Sequence, residues 1–392
     1  MIIGQQQQQI FLIQVCCYNR VYDSVIIVCL VMTCQLDFKL NSIFASDNYD
    51  QPLSPILGDL NGDNHLDMIF AYQYANKISV MLGFGNGSFG VQNKFTSGNK
   101  GQSALLVLGD INNDNQLDLV VGRGDNVSTS ILFGQGDGTF SEPIIIFNGT
   151  ASGSSGVSLS DFNGDGRLDI VMIDSETTLR LFLEYSSNGT FEKQIIISIG
   201  NGSFLSSIVT GDINNDYRAD IVFTNPNGHQ VGVLLGNGDG TFQELKTTQA
   251  EVYSTRQEIA MIDLNHDDKL DLAFVDPFNF RVGIFLGKGD GTFETLTTFS
   301  SGYNGEPNSI FVDDFNQDKH LDIAVSNTDT DNVCILLGNG DGTFQSVLCF
   351  STEINTRPLW ISAGDINSDE KSDIIVIRSS IDDISSMLNL CF

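Results

Sequence analysis

A nine-residue loop that recurs at a fixed interval is the feature that most restricts how this 392-residue chain can fold. The first copy runs from Asp59 to Asp67 and reads Asp-Leu-Asn-Gly-Asp-Asn-His-Leu-Asp. Seven copies occur, and each begins 51 residues after the one before it. A repeat of about 20–50 residues is typical of solenoids, propellers and arrays. The period therefore overrides the two or three separate domains that the chain length alone would suggest.

Every copy of the loop has Asp at positions 1, 5 and 9 and Asn at position 3. Calcium prefers such side chains, because it takes about 6–8 oxygen ligands from carboxylates, amides and carbonyls. The loops therefore predict up to seven structural Ca²⁺ ions. The candidate ligands are Asp59, Asn61, Asp63, Asp67, Asp110, Asn112, Asp114, Asp118, Asp161, Asn163, Asp165, Asp169, Asp212, Asn214, Asp216, Asp220, Asp263, Asn265, Asp267, Asp271, Asp314, Asn316, Asp318, Asp322, Asp365, Asn367, Asp369 and Asp373.

The other loop positions separate calcium from its alternatives. Position 7 varies among His, Gln, Arg and Lys, so we expect its backbone carbonyl to bind the metal and its side chain to point away. An EF-hand is excluded, because position 12 is apolar in most copies, as at Phe70, and β-forming runs flank the loop. Mg²⁺ is less favoured, since it requires near-octahedral geometry. An Asx-rich turn without metal remains the alternative. We expect a weak affinity, with a Kd of about 10⁻⁴–10⁻³ M.

Each 51-residue unit contains four short runs of β-forming residues and no amphipathic helix. The third run ends in a Gly-rich turn, for example the segment Leu-Gly-Asn-Gly-Asp-Gly-Thr-Phe from Leu235 to Phe242. Short β-branched and aromatic runs that are punctuated by Gly, Asn and Asp indicate antiparallel strands. We therefore predict an all-β fold, a seven-bladed β-propeller with four antiparallel strands per blade.

The register of the two ends of the chain predicts how the ring closes. Phe38 lies 51 residues before Phe89, so the chain enters the repeats at a fourth strand. At the other end, the chain stops before the seventh unit reaches its own fourth strand. We expect residues 38–46 to complete the last blade. Closure would remove the exposed strand edges that promote aggregation.

Residues 1–34 do not fit the repeat and are assigned separately from the propeller of residues 35–392. They contain a Gln run and an apolar core from about Val25 to Cys34. This core is shorter than the about 20 residues of a membrane span and is typical of a secretory signal peptide. A signal anchor is the alternative. We expect a secreted protein, or a cell-surface protein if the segment is an anchor.

Charge and cysteine content narrow the compartment and the partners. The net charge is −30, and positions 1, 5 and 9 of the loops hold 21 of the 49 acidic residues. With 19 Lys and Arg and no basic stripe, nucleic acid is disfavoured as a partner. The cysteines are too few for a disulfide framework. Cys334 and Cys349 flank one predicted hairpin turn and either pair or remain free.

Together, the Asp loop and the downstream Leu-Gly-x-Gly-Asp-Gly-Thr-Phe turn resemble the FG-GAP/VCBS repeat family over residues 38–392. That family includes the propeller at the N-terminus of integrin α chains. The resemblance implies a seven-bladed propeller with calcium in the loop between the first two strands of a blade. The family often has Gly just before the loop, and Ser160, Ile262 and Asp313 depart from that pattern.

Successive loops of a propeller alternate between its two faces, so the Asp loops and the Gly-rich turns share one face. The loops of the opposite face vary, and variable loops on a rigid scaffold usually carry recognition. The aromatic residues on these loops are candidate ligand contacts, although each could simply be structural. They are Tyr72, Tyr74, Phe278, Phe280 and Tyr303.

Two kinds of short motif leave their use open. One Arg-Gly-Asp tripeptide, which many integrins read, occurs at Arg123-Gly124-Asp125. N-glycosylation sequons are compatible with secretion but common by chance in a chain rich in Asn-Gly turns. They begin at Asn86, Asn126, Asn148, Asn188 and Asn201.

The sequence favours a non-catalytic adhesion or recognition module. We expect a monomer that binds an extracellular protein or glycan on the face opposite the calcium loops. No catalytic residue is predicted, because neither a nucleophile elbow nor a zinc-type His cluster occurs. Specific carbohydrate binding as a lectin, or a polysaccharide lyase or hydrolase on the same scaffold, are the alternatives.

Overall fold

The computed structural model describes residues 35–45, 51–73, 75–98, 103–123, 128–149, 156–186, 190–200, 202–250 and 258–391. These residues form 28 strands and two short 3₁₀ turns, Pro226–Gly228 and Pro277–Asn279. The strands are β1 (Phe38–Ala45), β2 (Pro52–Gly58), β3 (Asp67–Tyr72), β4 (Lys77–Met81), β5 (Asn93–Thr96), β6 (Ser103–Gly109), β7 (Asp118–Arg123), β8 (Ser128–Leu132), β9 (Ile144–Asn148), β10 (Val157–Ser160), β11 (Asp169–Ser175), β12 (Thr178–Tyr185), β13 (Phe191–Ser198), β14 (Ile208–Gly211), β15 (Asp220–Asn225), β16 (Gln230–Leu234), β17 (Lys246–Gln249), β18 (Ile259–Ile262), β19 (Asp271–Asp276), β20 (Arg281–Phe285), β21 (Thr297–Ser300), β22 (Pro307–Asp313), β23 (Asp322–Asn327), β24 (Asn332–Leu336), β25 (Leu348–Ser351), β26 (Pro358–Gly364), β27 (Asp373–Arg378) and β28 (Asp383–Asn389).

The strands form seven antiparallel sheets of four, which confirms the predicted propeller. Six blades take their strands in chain order, from β2–β5 to β22–β25. The seventh blade has the order β1-β28-β27-β26, so its outer strand comes from the N-terminal end of the described chain. β1 pairs with β28 from Phe38 opposite Asn389 to Ala45 opposite Asp383. The predicted closure of the ring is confirmed, and its strand ends at Ala45.

The first strands of the blades surround the axis of the ring. Each contacts the first strand of the next blade, and the circuit closes where β26 meets β2. The fourth strands lie outermost and are largely exposed, as in β5 and β25. Five second strands, such as β3 and β23, are buried along their whole length, and β11 is buried except at its last two residues. A strand that is covered on both faces needs a continuous apolar run, and the sequence supplies one after each Asp loop.

Seven hydrophobic clusters hold the ring together, one at each interface between neighbouring blades. Alternate residues of a strand point to opposite faces, so each second strand contributes to two clusters. In β3, Ile69 and Ala71 pack towards the second blade, whereas Met68, Phe70 and Tyr72 pack towards the seventh. Each of these clusters takes its residues from two adjacent blades. The apolar surface of a blade is buried against the blades on both sides of it, so the closed ring is the stable unit.

Glycine precedes the Asp loop in four blades because the adjacent blade leaves little room for a side chain. A Cβ added at Gly58 would lie 3.2 Å from Leu117, the position-8 residue of the second loop. The same holds for three further glycines, at 2.7–3.1 Å from the corresponding leucines. They are Gly109 against Leu168, Gly211 against Leu270 and Gly364 against Leu66.

In the three blades that have another residue in place of this glycine, the facing residue is partly adapted to the larger side chain. Where Ser160 precedes the loop, the corresponding position-8 residue is the small Ala219. Where Asp313 precedes it, the hydroxyl group of Ser372 donates a hydrogen bond to the Asp313 carboxylate. Ile262 packs into the same cluster as the leucine that it faces. Position 8 therefore joins neighbouring blades as well as beginning a strand.

Candidate calcium loops and the opposite face

The Asp loops adopt one hydrogen-bonded conformation in all seven blades. In the first loop, Asp59 accepts hydrogen bonds from the amides of Asp63 and Asn64 at 3.2 and 2.8 Å. Asn61 Oδ1 accepts from the Asp63 amide at 3.0 Å, and Asp63 Oδ1 accepts from the His65 amide at 2.9 Å. Equivalent bonds recur in the other six loops. The oxygens of positions 1, 3 and 5 thus lie along the inside of one turn.

The aspartate at position 9 has a different environment. Its side chain is 0–1 % exposed in every blade. One carboxylate oxygen accepts the amide of loop position 2 at 2.9–3.2 Å. The other accepts an amide from the end of the third strand or from the turn that follows it, at 2.7–3.3 Å. In the seventh blade that amide belongs to Asn389. Position 9 therefore fastens the Asp loop to the end of the third strand or to the hairpin that begins there, a role that the sequence did not indicate.

Burial dominates the electrostatics of position 9. Desolvation raises the pKa of Asp118, Asp220 and Asp271 to about 6, and that of Asp169 and Asp322 to about 7. The pKa values of the other two position-9 residues are also raised by burial. The carboxylate at position 5 raises the pKa further in each of the seven loops, and position 1 adds to this in six. The loop carboxylates are therefore close enough to repel one another.

Position 7 follows the expectation only in part. In five blades its side chain packs beside the second glycine of the hairpin, as His65 does against Gly85. In three loops a basic side chain at position 7 also lies near the position-5 carboxylate. The shortest such pair joins Lys269 Nζ and Asp267 Oδ2 at 2.9 Å. A cation at position 7 can thus offset loop charge without entering the turn.

The donor chemistry of the loops fits calcium, since all the inward-facing groups are oxygens. Within the described ranges, however, no three His, Cys, Asp or Glu side chains are arranged about one point. Two carboxylates, from positions 1 and 5, and the Asn oxygen line each turn, whereas position 9 is engaged by amides. The calcium assignment of the 28 residues stays a prediction.

On the opposite face, the structure corrects one candidate contact and retains three. Tyr72 is 1 % exposed, and its hydroxyl group accepts a hydrogen bond from Ser79 inside the first blade, so its prediction as a ligand contact is wrong. Phe278, Phe280 and Tyr303 are 67 %, 38 % and 89 % exposed. Tyr74 lies outside the described residues. Large apolar side chains are easy to find in a sequence, but burial of a strand-end residue depends on the neighbouring blade.

The short motifs fall partly within the described chain. Asn86 is exposed, but its Oδ1 accepts hydrogen bonds from the amide and the hydroxyl group of Ser88. Asn148 is exposed at the end of β9. The remaining motif positions lie outside the described residues or have no described side chain. These are Arg123, Gly124, Asp125, Asn126, Asn188 and Asn201.

Cys334 and Cys349 form a disulfide between directly opposed residues of β24 and β25. The sequence left this pairing open, and the structure resolves it because the two strands align the cysteines across the sheet. Cys391 is also disulfide-bonded.

A polar cleft of about 530 Å³ lies beside the third Asp loop, where the hairpin of the third blade lacks the Gly-rich turn. Arg167, Glu184, Tyr185 and Glu192 contribute to its lining, and none of its lining residues is His or Cys. Elsewhere, the rings of His266 and His320 lie 5.6 Å apart, a pair from adjacent loops that the sequence did not indicate. In the cleft, the hydroxyl group of Ser186 donates a hydrogen bond to the carbonyl of Thr190 at 3.0 Å.

The described part of the chain contains no helix with the length and hydropathy of a membrane span.

Fold and loops together define a class of protein, a seven-bladed β-propeller with an Asp loop between the first two strands of every blade. The profile of the FG-GAP-like repeat family matches residues 59–121, 110–172, 161–223, 212–274 and 314–376, which together make up more than half of the sequence. The chain belongs to the FG-GAP-like repeat family.

Two named relatives match parts of the chain. It is 25 % identical over 317 residues to a T-cell immunomodulatory protein from Rattus norvegicus, covering 71 % of this chain and 50 % of the relative. It is 30 % identical over 105 residues to cartilage acidic protein 1 from Homo sapiens, covering 26 % of this chain and 16 % of the relative. The chain thus spans half or less of the length of these relatives.

Two solved structures share the fold. A virginiamycin B lyase from Staphylococcus aureus in complex with quinupristin superimposes with a TM-score of 0.61 at 15 % identity, covering 90 % of this chain and 99 % of the lyase. An Agrocybe aegerita lectin that recognises non-reducing terminal N-acetylglucosamine gives 0.56 at 17 % identity, covering 84 % and 86 %. At such identities the likeness concerns architecture alone.

Proposed function

We propose that this protein is a secreted or cell-surface, calcium-binding β-propeller that acts as a non-catalytic recognition module for an extracellular protein or glycan. The observation that carries the proposal is the different use of the two faces. On one face, the buried Asp at position 9 fixes the Asp loop to the end of the third strand or to the hairpin that begins there in every blade. On the other face, the loops differ between blades and present exposed aromatic side chains. A rigid scaffold with one variable face is suited to recognition.

Secretion is supported by the Cys334–Cys349 disulfide, because disulfides persist mainly in oxidising compartments. The names of the relatives, a T-cell immunomodulatory protein and a cartilage acidic protein, are compatible with a recognition role but concern longer chains. The virginiamycin B lyase shares only the architecture, so it gives no support for an enzyme.

Calcium would be held by the side chains at positions 1, 3 and 5 of each loop, together with the position-7 carbonyl. Position 9 would contribute a lone pair while it keeps its two amide donors. The bound cation would supply positive charge between carboxylates that repel one another. Such a site ties loop conformation to extracellular calcium, in the weak range of about 10⁻⁴–10⁻³ M.

Chelator is expected to lower the melting temperature of the protein, and calcium in the millimolar range to restore it. The variant Asp63→Asn should bind one calcium ion fewer by equilibrium dialysis, since it removes a carboxylate from a loop that has no Lys or Arg at position 7. The matched control is Asp137→Asn, an exposed aspartate of a Gly-rich turn that bonds Thr139 instead. An unchanged melting temperature in chelator would favour the metal-free Asx turn.

The recognition role is tested by presenting the purified protein to a glycan array and to a panel of extracellular proteins. Saturable binding without turnover supports the proposal. Selective glycan binding would assign the lectin form, and cleavage of a polysaccharide would replace the proposal with the enzyme alternative. Absence of any saturable ligand would contradict it.

A further inference from the structure

Large exposed apolar side chains occur on loops of the opposite face in three consecutive blades. Phe278 and Phe280 lie in the loop between β19 and β20, and Tyr303 lies in the loop that leads from β21 to β22. Ile354 precedes β26 and is 84 % exposed, and Ile381 precedes β28 and is 47 % exposed. These five residues, the apolar patch, belong to loops of the fifth, sixth and seventh blades. Among the described residues of this face, the first four blades expose no large apolar side chain.

The loops of the patch are connected by a series of backbone hydrogen bonds. The amide of Ser301 donates to the carbonyl of Phe280 at 3.1 Å, which joins the loop after β21 to the loop between β19 and β20. Further along the face, the amide of Thr352 donates to the carbonyl of Asp331 at 2.9 Å. The amide of Ser380 donates to the carbonyl of Thr356 at 3.1 Å. The apolar residues are therefore carried by neighbouring loops of one surface.

Polar side chains hold the same loops in place. The Asp331 carboxylate accepts the successive amides of Asn355, Thr356 and Arg357 at 2.7–2.9 Å. Arg378 is 3 % exposed and pairs with Glu353 at 2.7 Å and with Asp383 at 2.8 Å. Loops that are ordered before binding lose less conformational entropy in a complex. Ordered loops that keep apolar side chains in water are a mark of an interaction site.

The loops that carry the patch are acidic. Residues 276–281, 301–307, 328–332, 352–357 and 378–383 contain seven acidic and three basic residues. Arg378 is buried between two carboxylates, and Arg281 pairs with the buried Asp276 at 2.8 Å. The remaining base, Arg357, lies 3.7 Å from Asp329. The surface around the apolar side chains is thus net negative.

We propose that the apolar patch is a docking surface for a polypeptide whose contact region combines apolar with Lys and Arg side chains. This deepens the proposed recognition function and rests on it. Charge complementarity favours a basic partner and speeds its encounter. A second copy of this chain, with a net charge of −30, would be repelled. The isoleucines favour a polypeptide over a glycan, because sugars stack on aromatic faces and aliphatic side chains offer none.

The test uses the full-length protein and three fluorescein-labelled 14-residue peptides, composed of Leu and Lys, of Ser and Lys, and of Leu and Glu. Fluorescence anisotropy gives each Kd. We expect the Leu/Lys peptide to bind at least about tenfold more tightly than the Ser/Lys peptide, a difference of about 1.4 kcal/mol and less than the burial of one large apolar side chain contributes. The Leu/Glu peptide is expected to bind most weakly.

The patch variant Phe278→Ser/Tyr303→Ser/Ile354→Ser should lose the tenfold preference while it keeps its charge. The matched control Val91→Ser/Ile145→Ser/Ile196→Ser removes three exposed apolar side chains elsewhere and should retain the preference. An equal preference in the patch variant and the wild type, or no preference in the wild type, overturns the proposal. Loss of glycan-array binding in the patch variant would also overturn the polypeptide assignment and leave the recognition function standing. Only a failure to find any ligand would contradict both the docking proposal and the recognition function.

Discussion

Replacing Asp322 with alanine is expected to lower the free energy of unfolding by about 2–5 kcal/mol. The carboxylate is fully buried and accepts the amides of Phe315 at 3.0 Å and Gly338 at 2.8 Å. Alanine would leave both amides without an acceptor, and each buried unpaired group costs about 1–3 kcal/mol. Urea denaturation followed by far-UV circular dichroism measures the change, in chelator so that a metal contribution is removed.

The matched control for this substitution is Asp341→Ala in the Gly-rich turn of the same blade. Asp341 is exposed, and its carboxylate bonds only the amide and hydroxyl group of Thr343. We expect it to cost about 1 kcal/mol or less, since water can replace the lost bonds. Equal losses for the two variants would show that position 9 does not fasten the loop to the hairpin.

Deleting residues 38–46 is expected to yield aggregated or protease-sensitive protein. The deletion removes β1, so β28 becomes an open edge with unpaired amides and carbonyls, and such edges pair with other chains. It also removes Phe38, whose ring lies 5.0 Å from that of Phe350 and 6.3 Å from that of Phe315. Size-exclusion chromatography and limited proteolysis compare the deletion with the wild type.

Lys39→Ala serves as the control for the deletion, because Lys39 is an exposed residue of the same strand. The substitution keeps the backbone pairing with β28 and should leave the protein monomeric and resistant. A deletion variant that is equally monomeric and resistant would mean that the seventh blade is stable with three strands and that ring closure contributes little.

Structural features that depend on local residue patterns or on spacing along the chain could be predicted from the sequence. The 51-residue period, the alternation of Asp and Asn in the loops and the Phe38–Phe89 spacing led to the blades, the strand order and the closing strand. Each depends on residues that act locally or on register along the chain. The same spacing placed Cys334 and Cys349 on the two strands of one hairpin. Their pairing remained open, because spacing alone does not give the distance between two strands.

Functions that depend on contacts between blades were not predictable. Asp67 and Asp63 look alike in the sequence as members of one ligand set. In the structure, Asp67 is buried and accepts hydrogen bonds from two backbone amides, whereas Asp63 is exposed. Tyr72 and Phe278 look alike as loop aromatics, and only the second reaches solvent. Ile354 and Ile381 carried no sequence signal, since an isolated isoleucine is usually a core residue.

The sequence by itself determined the repeat, and with it the number of blades, the oxygen-rich loops and the ring. These follow from local propensity and from a period that is repeated without slippage. The tertiary structure decided which of those loop residues are fasteners and which side chains of the opposite face remain in water. The physical reason is that a blade buries its apolar surface only against its neighbours, so the environment of each residue is set by a chain segment about 51 residues away.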